Sequence, residues 1–340
     1  MKKTSKLTAL LTAAVLMGSL SACGGSASTA TPTPSVSPSA AAATGKESYT
    51  IGICQLVQHP ALDAATKGFE DYLTQQLGDK VTFEERNASG DPPTCATIVN
   101  GFVSEGVDLI LGNATAPLQS AAAATSDIPI LGTSVTDYGT ALDISNWTGT
   151  TGRNISGTTD LAPLDGQADM LHELFPNAKN IGVLYCSAEP NSKYQATVIE
   201  GYLSNMGYTC TDYTFSDSND LSAVVTSACS ASDVIYVPTD NTAASNTEII
   251  KNVAVPAGVP IVAGEEGICS GCGVATLSIS YYDLGYETGK MAYDILVNGA
   301  DISTMEVQSA PKFTKEYNAE ICKTLGVTPP EGYTAISTEE

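Results

Sequence analysis

Carboxylates, thiols and hydroxyls carry what reactive chemistry this chain has. Its 340 residues hold 37 Asp and Glu against 15 Lys and Arg, with two His and nine Cys. Acids this abundant leave a paired-carboxylate hydrolase conceivable, yet no spacing singles out two of them. No Walker loop, no G-x-G-x-x-G after a strand and no G-x-S-x-G elbow occurs. Two isolated histidines offer little to zinc hydrolysis or to a histidine-based triad. His172, beside Glu173 in a helical pattern, reads as structural. Cys269-Ser-Gly-Cys272 has the spacing of half a zinc site or a redox pair. It has no second half, so a local disulfide or two plain thiols fits better. The formal net charge of −22 repels phosphate backbones and excludes nucleic acid as a partner. No cofactor and no metal is expected, and the chain reads as a binder, not an enzyme.

The most informative polar residues fall in six short segments: 55–60, 112–117, 132–138, 187–192, 238–242 and 264–267. Each follows a short apolar run rich in Ile and Val, and several open a helical pattern. The apolar runs span 49–54, 81–85, 108–111, 128–131, 181–185, 208–215, 234–237, 260–263 and 275–279. Such runs suit strands buried on both faces of a parallel sheet. Amphipathic stretches at 61–77, 163–175 and 283–297 supply covering helices. The order is written twice. Ile51-Gly-Ile53 is echoed by Ile181-Gly-Val183, Asp108-Leu-Ile-Leu111 by Asp233-Val-Ile-Tyr236, and Ile128-Pro-Ile130 by Val259-Pro-Ile261, at nearly constant separation. The expected fold class is therefore α/β, with two doubly wound parallel-sheet lobes and a ligand cleft between them. The six loops then converge on that cleft, and helix starts among them favour a carboxylate or another anion.

The N-terminus reads as an address. Lys2, Lys3 and Lys6 precede an apolar run over 7–20 that is too short for a comfortable span. Leu20-Ser21-Ala22-Cys23 resembles a bacterial lipobox, so 1–22 is expected to be a lipoprotein signal peptide with Cys23 diacylated. Residues 23–45, almost all Ser, Thr, Ala, Pro and Gly, read as a disordered, lipid-anchored tether. These features imply an extracytoplasmic body held at the membrane. Eight further cysteines permit disulfides in that compartment, with the pairing left open.

Six pieces, in order, resemble ABC-transporter substrate-binding proteins of the tryptophan/tyrosine type. They are Gln55 with His59-Pro-Ala-Leu-Asp63, Ala114-Thr-Ala116, Val135-Thr-Asp137, Glu189-Pro-Asn-Ser192, Pro238-Thr-Asp-Asn241 and Tyr281-Tyr-Asp-Leu-Gly285. The resemblance implies a type I periplasmic-binding-protein fold whose lobes are joined by three crossings and close by hinge motion. The expected lobes are 46–155 with 279–303, and 156–278 with 304–335. It also implies a permease and an ATPase as partners, and an amino acid as ligand, with an aromatic one favoured. A monomer is expected. Departures are Tyr138 where proline is usual, Cys54 and Cys186 where Thr and Asn are usual, and a doubled acid at Glu265-Glu266.

A zwitterion in a closed cleft needs donors for one end and acids for the other, because an unpaired buried charge costs several kcal/mol. The carboxylate is assigned to Thr115, Ser134 and Thr136, with Asn191 and Ser192 from the opposite lobe. The ammonium is assigned to Asp240, beside Asn241, with Asp137, Glu189 or Glu265 in support. Gln55 and His59 would frame the side chain, with Tyr281 or Tyr282 as an aromatic wall. Most of the Ser, Thr and Asp among these could equally serve as helix caps, and Trp147 reads as packing. A sugar or nucleoside binder and a ligand-sensing receptor are the competing readings. The 6% aromatic content weighs against a sugar, whose ring usually stacks on aromatics.

Overall fold

The computed structural model describes residues 46–336; the leader, Cys23 and the tether up to residue 45 lie outside the described residues, as do 337–340. The strands, in chain order, are β1 (Tyr49–Gln55), β2 (Val81–Asn87), β3 (Leu109–Asn113), β4 (Ile130–Val135) and β5 (Ile155–Thr159). Then follow β6 (Asn180–Cys186), β7 (Thr209–Phe215), β8 (Val234–Val237), β9 (Ile261–Ala263) and β10 (Ala275–Ser278). The short β11 (Gln308–Ser309), β12 (Thr314–Tyr317) and β13 (Thr334–Ala335) complete them.

They form two sheets. The first has the order β11-β5-β4-β3-β1-β2 and the second β13-β12-β10-β9-β8-β6-β7. Within each, the first strand of the lobe lies between the second and third, so the two lobes share one layout, as the doubled sequence pattern predicts. The echoed aspartates show why that pattern repeats. Asp108, entering β3, accepts from the Thr50 amide at 2.8 Å. Asp233, entering β8, accepts from the Lys179 and Asn180 amides, both at 2.8 Å. In each lobe an acid at the mouth of the third strand satisfies donors at the start of the first.

Alternation within the strands covers both faces. Ile51 and Ile53 pack with Phe69, Leu73 and Met291, from helices Pro60–Leu77 and Tyr281–Leu296. Cys54, between them and Gln55, packs instead with Cys95, Val99 and Phe102 of helix Pro92–Glu105. In the second sheet Val183 and Tyr185 face one cluster, while Leu184 and Cys186 face another. Parallel strands with covered faces are the physical reason for continuous apolar runs.

Two expectations shift. The first sheet keeps the chain to Thr159 and recovers it at Gln308–Ser309, so the first and third crossings, 160–163 and 310–313, lie a few residues beyond the expected lobe boundaries; the second is 279–280. Ile155-Ser-Gly-Thr-Thr159 has one large apolar residue and gives no strand signal. Its Gly157 (φ +144°) lies so close to Gly132 that a Cβ would meet the Gly132 carbonyl at 2.0 Å. Tyr138, the residue replacing the usual proline, fills the remaining space; its hydroxyl donates to the Thr158 carbonyl. The second sheet is also not wholly parallel, because β12 re-enters beside β10 antiparallel after the third crossing.

Helix Tyr281–Leu296 follows the second crossing yet belongs to the first sheet's covering layer. It lies against helix Pro60–Leu77 through small residues: a Cβ on Gly285 would fall 1.9 Å from the Ala65 carbonyl oxygen, and one on Gly68 would fall 2.1 Å from that of Tyr282. Backbone cannot rotate aside as a side chain can. Gly285→Ala is therefore expected to lower stability by about 2 kcal/mol, although Ala is the better helix former. Urea denaturation followed by circular dichroism measures this, and an unchanged midpoint would show that the close approach is not required.

Candidate functional site

The loops at the carboxyl ends of both sheets meet, and their polar side chains are buried there. His59, Thr115, Ser134, Thr136, Glu189, Asn191, Ser192, Asp240, Asn241, Glu265 and Tyr281 all lie in the interior. Asp137 is only half-buried. Among the described residues, two side-chain hydrogen bonds link the two lobes at this seam, the second from Gln195 on helix Pro190–Asn205. His59 Nε2 lies 3.3 Å from Asn241 Oδ1, and Gln195 Nε2 donates to Thr136 Oγ1 at 3.5 Å. A cavity of about 440 Å³ opens along this seam. Leu56, Val57 and Ala116 wall it from one side, and Ala188, Glu189 and Asn241 from the other.

The four buried acids differ in what they hold. Glu189 accepts from the backbone amides of Asn241 and Thr242 at 3.0 and 2.8 Å, and from both their side chains at 2.7 and 2.8 Å. Asp240 accepts from the Ala243 amide at 2.8 Å, capping helix Asn241–Ala244, and from the Cys186 amide at 2.7 Å. Glu265 caps helix Glu266–Cys272 through the Gly267 and Ile268 amides. Each of these three carboxylates is occupied by its own backbone, which is the capping role that Asp and Glu so often take. Asp137 likewise caps helix Tyr138–Ala141, accepting from the Thr140 amide at 2.7 Å.

Asp160 is the exception. It stands on the first crossing, directly after β5, and is 4% exposed. One oxygen accepts from the Tyr281 hydroxyl at 3.0 Å; the other, Oδ1, is buried without a partner. Burial pushes its pKa up to about 6, against the restraining hydroxyls of Tyr281 and Thr136. Burial likewise raises Glu265 to about 7, and burial with the neighbouring Glu189 raises Asp240. Among the described residues no lysine or arginine is buried, and every ion pair is at the surface. The interior thus concentrates negative potential with nothing cationic to meet it.

Two other polar atoms lack partners here. The Ser134 hydroxyl is buried and unpaired, on a residue at φ +54°. A non-glycine residue in that region stores strain, which recurs at ligand clamps. His59 Nδ1 is unpaired as well, and burial lowers the pKa of the ring against the opposing pull of Asn241 and Glu189.

The structure changes several expected roles. Gln55 does not face a ligand with free amide groups: it donates to Val57 O at 3.0 Å and Asp63 Oδ1 at 2.6 Å, and accepts from Thr66 at 2.7 Å. It buttresses the loop from below. Tyr281 is tied to Asp160 by its hydroxyl, while Tyr282 points outward beneath Lys67. Asn191 and Ser192 donate to the Thr239 carbonyl at 3.3 and 3.5 Å. His172 lies 2.7 Å from the Tyr208 hydroxyl, and Trp147 stacks on Tyr138, both packing roles. The Cys269 and Cys272 side chains are free thiols, as are the other six described cysteines. Asp160 and Gln195 lie outside the expected site residues, and Thr239, within the expected loop 238–242, gains a partner there. Gln195 donates to the Thr239 carbonyl at 3.1 Å and accepts from its amide at 3.2 Å. Only Thr158-Thr-Asp160, an acid directly after a Thr pair, hinted at a loop like the others, and the strand before it carries no apolar run.

Three of the four buried acids are engaged as caps, and Asp160 alone keeps an oxygen free. The arrangement can enclose a small polar solute between two lobes. Comparison with known proteins agrees. Residues 50–339 match the family model described as "ABC transporter substrate binding protein". A tyrosine-binding protein of Clostridioides difficile (strain R20291) is 36% identical over 283 residues, 82% of this chain and 81% of the relative. An ABC domain from Streptococcus pneumonia, solved in complex with L-Trp, is 32% identical; the match covers 85% of this chain and all of that one, with a TM-score of 0.80. The ligand-free, open structure of a Clostridium difficile substrate-binding protein with adhesive properties is 36% identical over 86% of this chain and all of that one, with a TM-score of 0.66. The two-lobed architecture is that of type I periplasmic binding proteins. With the family model spanning nearly all of the folded chain, the protein belongs to the ABC transporter substrate-binding proteins, extracytoplasmic solute binders that serve a membrane permease and are not enzymes.

Proposed function

We propose that the protein captures an aromatic amino acid, tyrosine or tryptophan foremost, as a zwitterion in the interlobe cleft and hands it to an ABC permease. The observation that carries this reading is the unpartnered, buried Asp160 Oδ1, together with a second buried, unpaired group, the Ser134 hydroxyl. An ammonium supplies what Asp160 lacks, and a carboxylate accepts from Ser134 and its neighbours Thr115 and Thr136. The ammonium role expected of Asp240 passes to Asp160, because Asp240 already serves two amides. The relatives' ligands, tyrosine for one and L-Trp for another, support the side-chain class. Conformation supports closure on ligand: the chain superposes better on the L-Trp complex than on the open, ligand-free structure, although the latter is nearer in sequence. Cys23, with its lipobox-like approach, would anchor the mature protein by diacylation.

Titration calorimetry with L-tyrosine, L-tryptophan and L-phenylalanine, beside leucine, glucose and adenosine, tests the ligand class. At least one aromatic amino acid is expected to bind. Asp160→Asn should weaken it about 100-fold, consistent with loss of a buried charge partner, while the melting temperature of the unliganded protein holds or rises. Undiminished affinity in that variant would move the ammonium elsewhere; a sugar or nucleoside binding in place of the amino acids would sink the ligand assignment.

The pH dependence follows from the same residue. Enclosed as it is here, without a cationic neighbour, Asp160 has its pKa pushed up by burial to about 6, and an adjacent ammonium must pull it down again. Binding near pH 6 should therefore release protons, and affinity should fall as pH drops below that value. Calorimetry in buffers of different ionisation enthalpy reads the proton count directly, and proton uptake would contradict the assignment.

For the anchor, detergent phase partition of the expressed full chain should place it in the detergent phase, and Cys23→Ala should return it to the aqueous phase. Identical partition of the two would refute lipidation at Cys23.

A further inference from the structure

Helix Pro92–Glu105 lies directly across β1. The Phe102 ring covers Gly52 so closely that a Cβ there would meet it at 2.5 Å. Two residues further along the strand, on the same face, is Cys54; two helical turns earlier, on the same helix face, is Cys95. A helix running back over a parallel strand brings those two positions together. Both side chains are fully buried and belong to one apolar cluster with Val99 and Phe102. The thiols interact with each other: Cys54 holds its proton far more tightly than a free cysteine, first through Cys95 and then through burial, while Cys95 is shifted down by Cys54.

We propose that Cys54 and Cys95 form a disulfide in the mature, extracytoplasmic protein. The other described cysteines sit elsewhere. Cys186 donates to the Ser216 carbonyl, Cys272 to that of Ile268 and Cys322 to that of Val274, while Cys269 neighbours Cys272 and Cys322 rather than Cys54 or Cys95. The oxidant is an organic disulfide or a thiol–disulfide oxidase of that compartment. A thiolate of the pair attacks the donor disulfide, giving a mixed disulfide and one released thiol. The second thiolate then displaces the donor's other sulfur as thiolate. Two protein thiols and one donor disulfide thus become one protein disulfide and two donor thiols.

The bond would clamp the ligand cleft's wall. Cys54 precedes Gln55, Leu56 and Val57, and Cys95 lies in the first turn of a helix that Pro92 opens; Leu56, Val57 and Pro92 all line the cavity. The intervening loop is already tied across, with Ala88 N donating to Gln55 O at 2.9 Å and Gly90 N to Leu56 O at 2.8 Å. A covalent link beneath this pair fixes the wall's spacing and removes disorder from the unfolded chain.

Peptide mapping of the full chain from the cell envelope, alkylated before any reduction, is the direct test. The Cys54 and Cys95 peptides should appear as one linked species that a reductant separates, with the remaining described cysteines alkylated. Reduction should also lower the melting temperature by about 5 °C, and a C54A/C95A variant should lose that sensitivity. If both peptides are alkylated even after incubation of the purified protein with oxidised glutathione, or if either is linked to a different cysteine, the pairing is wrong. Mapping uses the native chain, so it decides the pairing even where the double variant does not fold.

Discussion

A carboxylate held out of water without a cation costs several kcal/mol unless its pKa rises to neutralise it. The protein keeps Asp160 in that condition at the place where its lobes are joined. Asp160 sits on the first crossing and Tyr281 at the second, and their 3.0 Å hydrogen bond ties the two connections together. Whatever relieves Asp160 Oδ1 therefore acts on the segments about which the lobes turn. On the proposed reading, a cationic ligand group placed there would gain most where water is excluded, and that difference in affinity would favour the closed form.

The remaining acids serve the rigidity around that point. Glu189 and Asp240 converge on helix Asn241–Ala244 from two loops, and Asn241 in turn meets His59 across the seam. A four-residue helix has little stability of its own. Fixed by two carboxylates, it presents Asn241 at a defined position. Gln195 does similar work for Thr239, gripping both its amide and its carbonyl while reaching Thr136 on the other side.

The fold's two-lobed plan was legible because it has a local physical cause. Strands covered on both faces must be continuously apolar, helices must carry a stripe, and acids at Asp108 and Asp233 must answer the free amides at each lobe's first strand. Such requirements act through neighbours in sequence, so they repeat when the architecture repeats. β5 was illegible for the opposite reason. Gly157 is there for the backbone of Gly132 and the ring of Tyr138, partners fixed only after folding, and a strand built of Ser, Gly and Thr shows no period.

The sequence by itself determined which loops are polar, that they follow strands, and that they gather at one cleft of a solute-binding protein. The tertiary structure alone decided what each acid does. Asp240, Glu189 and Glu265 carry the same charge and the same loop setting as a ligand-binding carboxylate, but amides brought up by folding occupy them. Asp160 has only a preceding Thr pair in its local sequence, and it stands out because packing surrounds it and leaves one oxygen unanswered. Residue type fixes what a side chain can bind. Which partners reach it first is a property of three dimensions.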